Sequence, residues 1–177
     1  MNQDNTAHEL SPFFDAVGRV TAAGARMDAS LHQLLGSLSM EATLMMHANT
    51  ASTVQLIDFC RLALDVHTKD PEDEAAISAC LDRANVLRIR RNDVVHSLYM
   101  QADAGDVWDA MKPVKKNVGY KVTSITVEAL LTLSKDIETL LSDMFRASWN
   151  ATAAKLPGME ASRFVVDGDE NPATQGT

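Results

Sequence analysis

Arg90-Arg91-Asn92-Asp93-Val94-Val95-His96-Ser97-Leu98-Tyr99 is the stretch on which the fold turns. Working back from it, Cys80, Ala84, Leu87, Arg91, Val94 and Leu98 recur in steps of 4, 3, 4, 3 and 4, the spacing of one helix face. Arg91 stands where that stripe asks for a leucine. An unpaired guanidinium on an apolar seam costs several kcal/mol, so this one requires a carboxylate, a partner chain or a bound anion. His96 follows about 140° further round an ideal helix of about 100° per residue, and Asn92 sits one turn beneath it. Three polar side chains are therefore expected together near the end of a long, otherwise apolar helix.

That helix begins at Asp70-Pro71-Glu72-Asp73-Glu74, a cap, a first-position proline and first-turn acids that complement the helix dipole, and it is expected to run to about Tyr99. The acids are a helix start rather than a metal site. Arg83, Arg88 and Arg90 suit the C-terminal half of the same dipole, a reading that leaves Arg91 unexplained. Upstream, Ser11-Pro12 reads as another helix start, and Val17, Val20, Gly24, Met27, Leu31, Leu34 and Leu38 step 3 and 4 alternately. This predicts a long core helix to about Leu35, with Gly36-Ser37 as its stop and with Gly18 and Gly24 allowing close packing.

A short helix follows, around Leu44, Met45 and Met46, with the methionines as core filling and a break near Asn49. A further helix spans about Ala51 to Val66 and buries Val54, Ile57, Cys60 and Leu64. Past Gly105, residues 107–114 and 120–125 alternate partially about a turn at Lys115 to Gly119, the pattern of a small β-hairpin. Thr126 caps the last helix, whose core positions are Leu130, Leu133, Ile137, Leu140 and Met144, to about Trp149. The fold class is thus all-α: an up-and-down bundle of four main helices, with a short helix after the first and a small β-hairpin before the last. Residues 1–10 read as a flexible arm, 11–156 as the bundle and 157–177, rich in Gly, Pro, Asp and Glu, as a disordered tail.

Bulk properties narrow the function. At 177 residues the chain fits one domain with a real core. It has neither an apolar run of the roughly 18 residues a membrane helix needs nor a signal-like start, so a cytoplasmic location and no membrane partner are expected. Cys60 and Cys80 lie among apolar neighbours and read as small core residues of a reducing compartment. His47 and His67 lack companions at metal-ligand spacing and read as surface or helix-end groups. No P-loop, G-x-S-x-G elbow, C-x-x-C pair or H-E-x-x-H helix is present, which removes the commoner enzyme classes, and no cofactor or metal is expected.

The net charge of -8 argues against nucleic acid, but its distribution argues less firmly. Between Arg83 and Lys121 eight basic residues (Arg83, Arg88, Arg90, Arg91, Lys112, Lys115, Lys116, Lys121) face four acidic ones. That excess is either a basic cleft that steers a polyanion or a solvated face. Trp108 and Tyr120, with Lys112, Lys115, Lys116 and Lys121, form either a stacking and phosphate rim for single-stranded RNA or the packing of the hairpin onto the helices. Arg88 and Arg90 extend the same candidate RNA-binding set.

Arg91-Asn92-x-x-x-His96 resembles the R-[N/D/H]-x-x-x-H signature of HEPN domains, small helical bundles many of which are metal-independent ribonucleases of toxin-antitoxin and phage-defence systems. The resemblance extends as helical arrangement over roughly residues 10–150. It implies a homodimer in which two motifs meet in one cleft, with Arg91, Asn92 and His96 as catalytic residues, RNA as substrate and a possible antitoxin protein as partner. His96 would act as base on the ribose 2'-hydroxyl or acid for the leaving 5'-oxygen, Arg91 would clamp the phosphate and Asn92 would orient the imidazole. Other members have lost catalysis and serve as dimeric binding modules for nucleotide, RNA or protein, the competing expectation. In some members a tyrosine two positions after the histidine is modified; here that position is Leu98 and the tyrosine is Tyr99, so the modification is not carried over.

Overall fold

The computed structural model describes residues 3–67, 70–101, 107–114 and 118–156, with side chains from Pro12 onward, His67 excepted. Its order is α1 (Gln3–Leu38), α2 (Ala42–Ala48), α3 (Thr53–His67), α4 (Pro71–Val95), β1 (Leu98–Gln101), β2 (Val107–Pro113), β3 (Tyr120–Thr126) and α5 (Val127–Ala153). The chain is predominantly helical, with one small antiparallel sheet in the order β1-β2-β3. α1 packs along α5 and α3, and α4 lies against α5, α3 and α1.

The stripes of α1 and α5 form the core. Val20, Met27, Leu31 and Leu34 from α1 meet Leu130, Ile137, Leu140 and Met144 from α5, all fully buried. Each such side chain contributes about 1.5–3 kcal/mol of apolar burial. Two of the expected caps, Asp70 and Thr126, are in place. The Asp70 carboxylate accepts from Glu72 N–H at 2.9 Å, and Thr126 Oγ1 accepts from Ala129 N–H at 3.2 Å. At the other end of α1, Lys155 Nζ donates to the carbonyls of Ser37 (2.7 Å) and Leu38, satisfying acceptors that a helix end leaves open. Partial burial there lowers the Lys155 ammonium below its usual pKa. Cys60 and Cys80 are free and buried; burial pushes the Cys60 thiol up to about 12 and raises that of Cys80, the latter also through Asp143 beside it.

Several expectations are corrected. α1 does not start at Ser11-Pro12: Pro12 lies inside it and residues 3–10 are helical rather than an arm. A proline's fixed φ is itself helical, and what the helix loses is one backbone bond and the room its ring takes. α1 also runs on through Gly36 to Leu38. Val54 is 39% and Met46 73% exposed, so neither fills the core; Leu56 and Ala63 face inward on α3, and of the two methionines Met45 packs against the core.

The largest difference lies after the motif. α4 stops at Val95, and Leu98 to Gln101, expected to continue the helix, instead form β1, so the hairpin is a three-stranded sheet. β1 pairs with β2 from Leu98↔Met111 to Gln101↔Trp108, and β2 with β3 from Val107↔Thr126 to Pro113↔Tyr120. Tyr99 secures the junction: its hydroxyl donates to the Val94 carbonyl at 2.6 Å, taking up one of the last helix acceptors. Burial pushes that phenol up to about 12.

An aromatic cluster ties the sheet to α1. The Trp108 ring stacks on Phe13 at 4.1 Å and 14°, Tyr99 meets Phe13 edge-on at 4.9 Å, and Phe14 meets Trp108 at 5.8 Å. The segment expected as a turn around Gly105, residues 115–117 of the turn expected over Lys115 to Gly119, and the tail over 157–177 lie outside the described residues.

Candidate functional site

Arg91 has found its acceptor within the chain. Gly24 on α1 opens the space: a Cβ at that position would lie 2.6 Å from Arg91 Nε and 3.1 Å from Cδ and Cγ. The side chain passes over this gap, and Nη2 donates to Asp28 Oδ2 at 3.0 Å. The other oxygen of Asp28 accepts from Thr53 Oγ1 at 2.8 Å, so one carboxylate joins α1, α3 and α4. One turn on, the two ring nitrogens of His32 each lie 2.9 Å from a carbonyl oxygen, those of Asp28 and Ala48. The Arg91 side chain is 17% exposed and its Nε is buried without a partner. Gly24, Asp28 and His32, four residues apart on α1, were the sequence signal for this seat, and Asp28 and His32 are the polar residues that motif reading missed.

His96 occupies a different environment. It is the C-cap of α4, with φ -109° and ψ 16°, and its N–H donates to the Asn92 carbonyl at 3.2 Å. The imidazole is exposed and makes no hydrogen bond to a described residue. Asn92 lies four residues before it and Arg88 four before that, so the three mark one face of α4. Arg88 is held only by a neutral contact, Nε to Asn85 Oδ1 at 2.9 Å. Arg91, on the adjoining face, is turned toward α1. The structure thus brings Asn92 and His96 to an exposed edge with Arg88 behind them, while Arg91 stands beside that edge with its charge engaged.

The wider RNA-binding set divides. Trp108 is 5% exposed beneath its aromatic neighbours and offers no face for a base. Arg90 pairs with Asp136 at 2.9 Å, Lys112 with Asp93 and Arg83 with Asp143, both at 2.5 Å. Together with Arg91–Asp28, these pairs neutralise most of the expected basic excess. Tyr120 and Lys121 are exposed on β3, and Lys115 and Lys116 lie outside the described residues.

An exposed imidazole backed by an amide has the chemistry of a general acid or base, and a guanidinium two turns back can hold an anion about 12 Å away along the helix axis. The chain matches no family model, no curated protein and no solved structure. No described helix is long and apolar enough to cross a membrane.

Proposed function

We propose that the chain is a HEPN-like, metal-independent endoribonuclease that cuts single-stranded or loop RNA as a homodimer, in a toxin-antitoxin or phage-defence setting with an antitoxin protein as a possible restraint. The four long helices then form the up-and-down bundle, and the ends of two α4 helices meet in one cleft. The observation that carries this reading is His96: an exposed imidazole without a partner among the described residues, at a helix end, in line with Asn92 and Arg88.

In the reaction His96 takes the proton of a ribose 2'-hydroxyl, the 2'-oxygen attacks the adjacent phosphorus, and the P–O5' bond breaks to leave a 2',3'-cyclic phosphate. His96 of the second copy gives the leaving 5'-oxygen its proton, since one imidazole does not serve both roles in one step. Arg88 is the guanidinium on this face without an ionic partner among the described residues, and it anchors a flanking phosphate. Arg91 reaches the reacting phosphate only by leaving Asp28, and otherwise stiffens the helix that presents His96.

That ion pair favours a second reading, a non-catalytic dimeric module that binds nucleotide, RNA or a protein partner through the same edge. Cleavage separates the two. On the first reading the purified protein cuts single-stranded RNA in EDTA to cyclic-phosphate ends, and His96→Ala lowers the rate by about 100-fold or more, the usual share of a general acid or base, without changing the fold. Intact RNA after incubation with well-folded wild type leaves only the second. Arg91→Ala is an unsuitable probe, because it strips Asp28 of its cation and tests stability as much as chemistry.

A further inference from the structure

A cavity of about 240 Å3 lies on the other side of α4 from Asn92 and His96, between that helix, the inner face of the sheet and the first turns of α5. Its floor is apolar: Val94, Ala110, Ile125, Leu130 and Leu133. Its mouth is cationic, and the charges there are unevenly matched. Arg90 is tied to Asp136 and Lys112 to Asp93, whereas the Lys121 ammonium has no ionic or hydrogen-bonding partner among the described residues.

Lys112 and Lys121 are directly opposite each other on β2 and β3, and both line the cavity. Like charges at directly opposed positions destabilise a strand pair. The Asp93 carboxylate relieves one of the two ammonium groups, and the second faces the cavity uncompensated. A greasy recess with one unmatched cation at its entrance suits a molecule with a compact apolar body and a single anionic group.

We propose that this cavity binds a small amphipathic organic anion, an aromatic or branched aliphatic body carrying one phosphate or carboxylate, with the body on Val94, Leu130 and Leu133 and the anion on Lys121 beside Lys112. The site shares Arg90, Lys112 and Lys121 with the wider set expected to bind RNA, but it is separate from the proposed catalytic edge, for it uses the opposite face of α4 and none of Arg88, Asn92 or His96. A volume of about 240 Å3 suits one ring-sized group rather than a polymer.

The test uses phenyl phosphate as probe, with benzyl alcohol as its uncharged counterpart, titrated into the 15N-labelled full chain. Saturable shifts are expected at the amides of Ala110, Thr123 and Leu130. Lys121→Glu is expected to weaken phenyl phosphate roughly tenfold or more while raising the melting temperature, because it removes the opposed like charges. Ala129→Phe, at the exposed lip, is expected to block the probe with the fold intact. The proposal is overturned if no shifts appear there, if Lys121→Glu binds phenyl phosphate as well as wild type, or if benzyl alcohol binds as tightly. A site that takes a single-stranded oligonucleotide but no small anion overturns it too.

Discussion

Gly24 and Arg91 work as one unit. The guanidinium reaches Asp28 because α1 carries no side chain at the point where it crosses, and any Cβ there would sit 2.6 Å from Nε. Gly24→Ala therefore sets a helix-propensity gain of about 1 kcal/mol against overpacking that costs roughly 1–3 kcal/mol. The side chain in the way is pinned at its far end by Asp28, so it yields only by giving up that bond, and the net effect is destabilising by about 1 kcal/mol. Gly18, six residues earlier on α1, has nothing within 4 Å of an added Cβ. Gly18→Ala is expected to stabilise by roughly 0.5–1 kcal/mol. Urea unfolding of the two variants checks the opposed signs; a stabilising Gly24→Ala would show that Arg91 is not held in this seat.

Among the elements, the sheet depends on α1 for its place. A small sheet of short strands is marginal alone, and the contact that seats this one is the Trp108 ring stacked on Phe13. Trp108→Ala is expected to cost about 3–5 kcal/mol and to release the sheet before the helices. Hydrogen exchange over residues 98–101 and 107–113 would then rise further than exchange over α5; equal protection in wild type and variant would contradict the assignment. An RNA-stacking tryptophan would show the opposite pattern, with stability kept and binding lost.

The same elements show what local pattern carries and what it does not. The α5 stripe, the Thr126 and Asp70 caps and the break between α2 and α3 were legible, because each is set by residues within a turn or two. β1 was not: the 4-3-4 rhythm of α4 runs on to Leu98, but cross-strand pairing with Met111 and the Tyr99 bond to Val94 end the helix first. The demand that Arg91 find an acceptor was legible, whereas its identity was not, since Asp28 lies 63 residues away in sequence. Pro12 misled in the other direction, as a strong start signal that the helix runs through.

At the scale of the whole molecule, an acidic chain that meets RNA must do so with few free cations. The pairs Arg83–Asp143, Arg90–Asp136, Arg91–Asp28 and Lys112–Asp93 engage four of the eight basic residues of the 83–121 segment within the fold. Long-range steering of a polyanion is therefore weaker than the local charge count suggests, and the proposed ribonuclease reading assigns recognition to the end of α4, where Arg88, Asn92 and His96 share one face. The ribonuclease reading places RNA there, as does the RNA-binding form of the second reading, and the ring signals of the histidines report it directly. Titrating the 15N-labelled protein with a single-stranded 2'-O-methyl RNA oligonucleotide, which has no free 2'-hydroxyl to react, is expected to move the His96 ring resonances in step with saturation and to leave those of His32 in place. Saturable binding with the His96 ring unmoved, or no binding at low salt, would contradict the account.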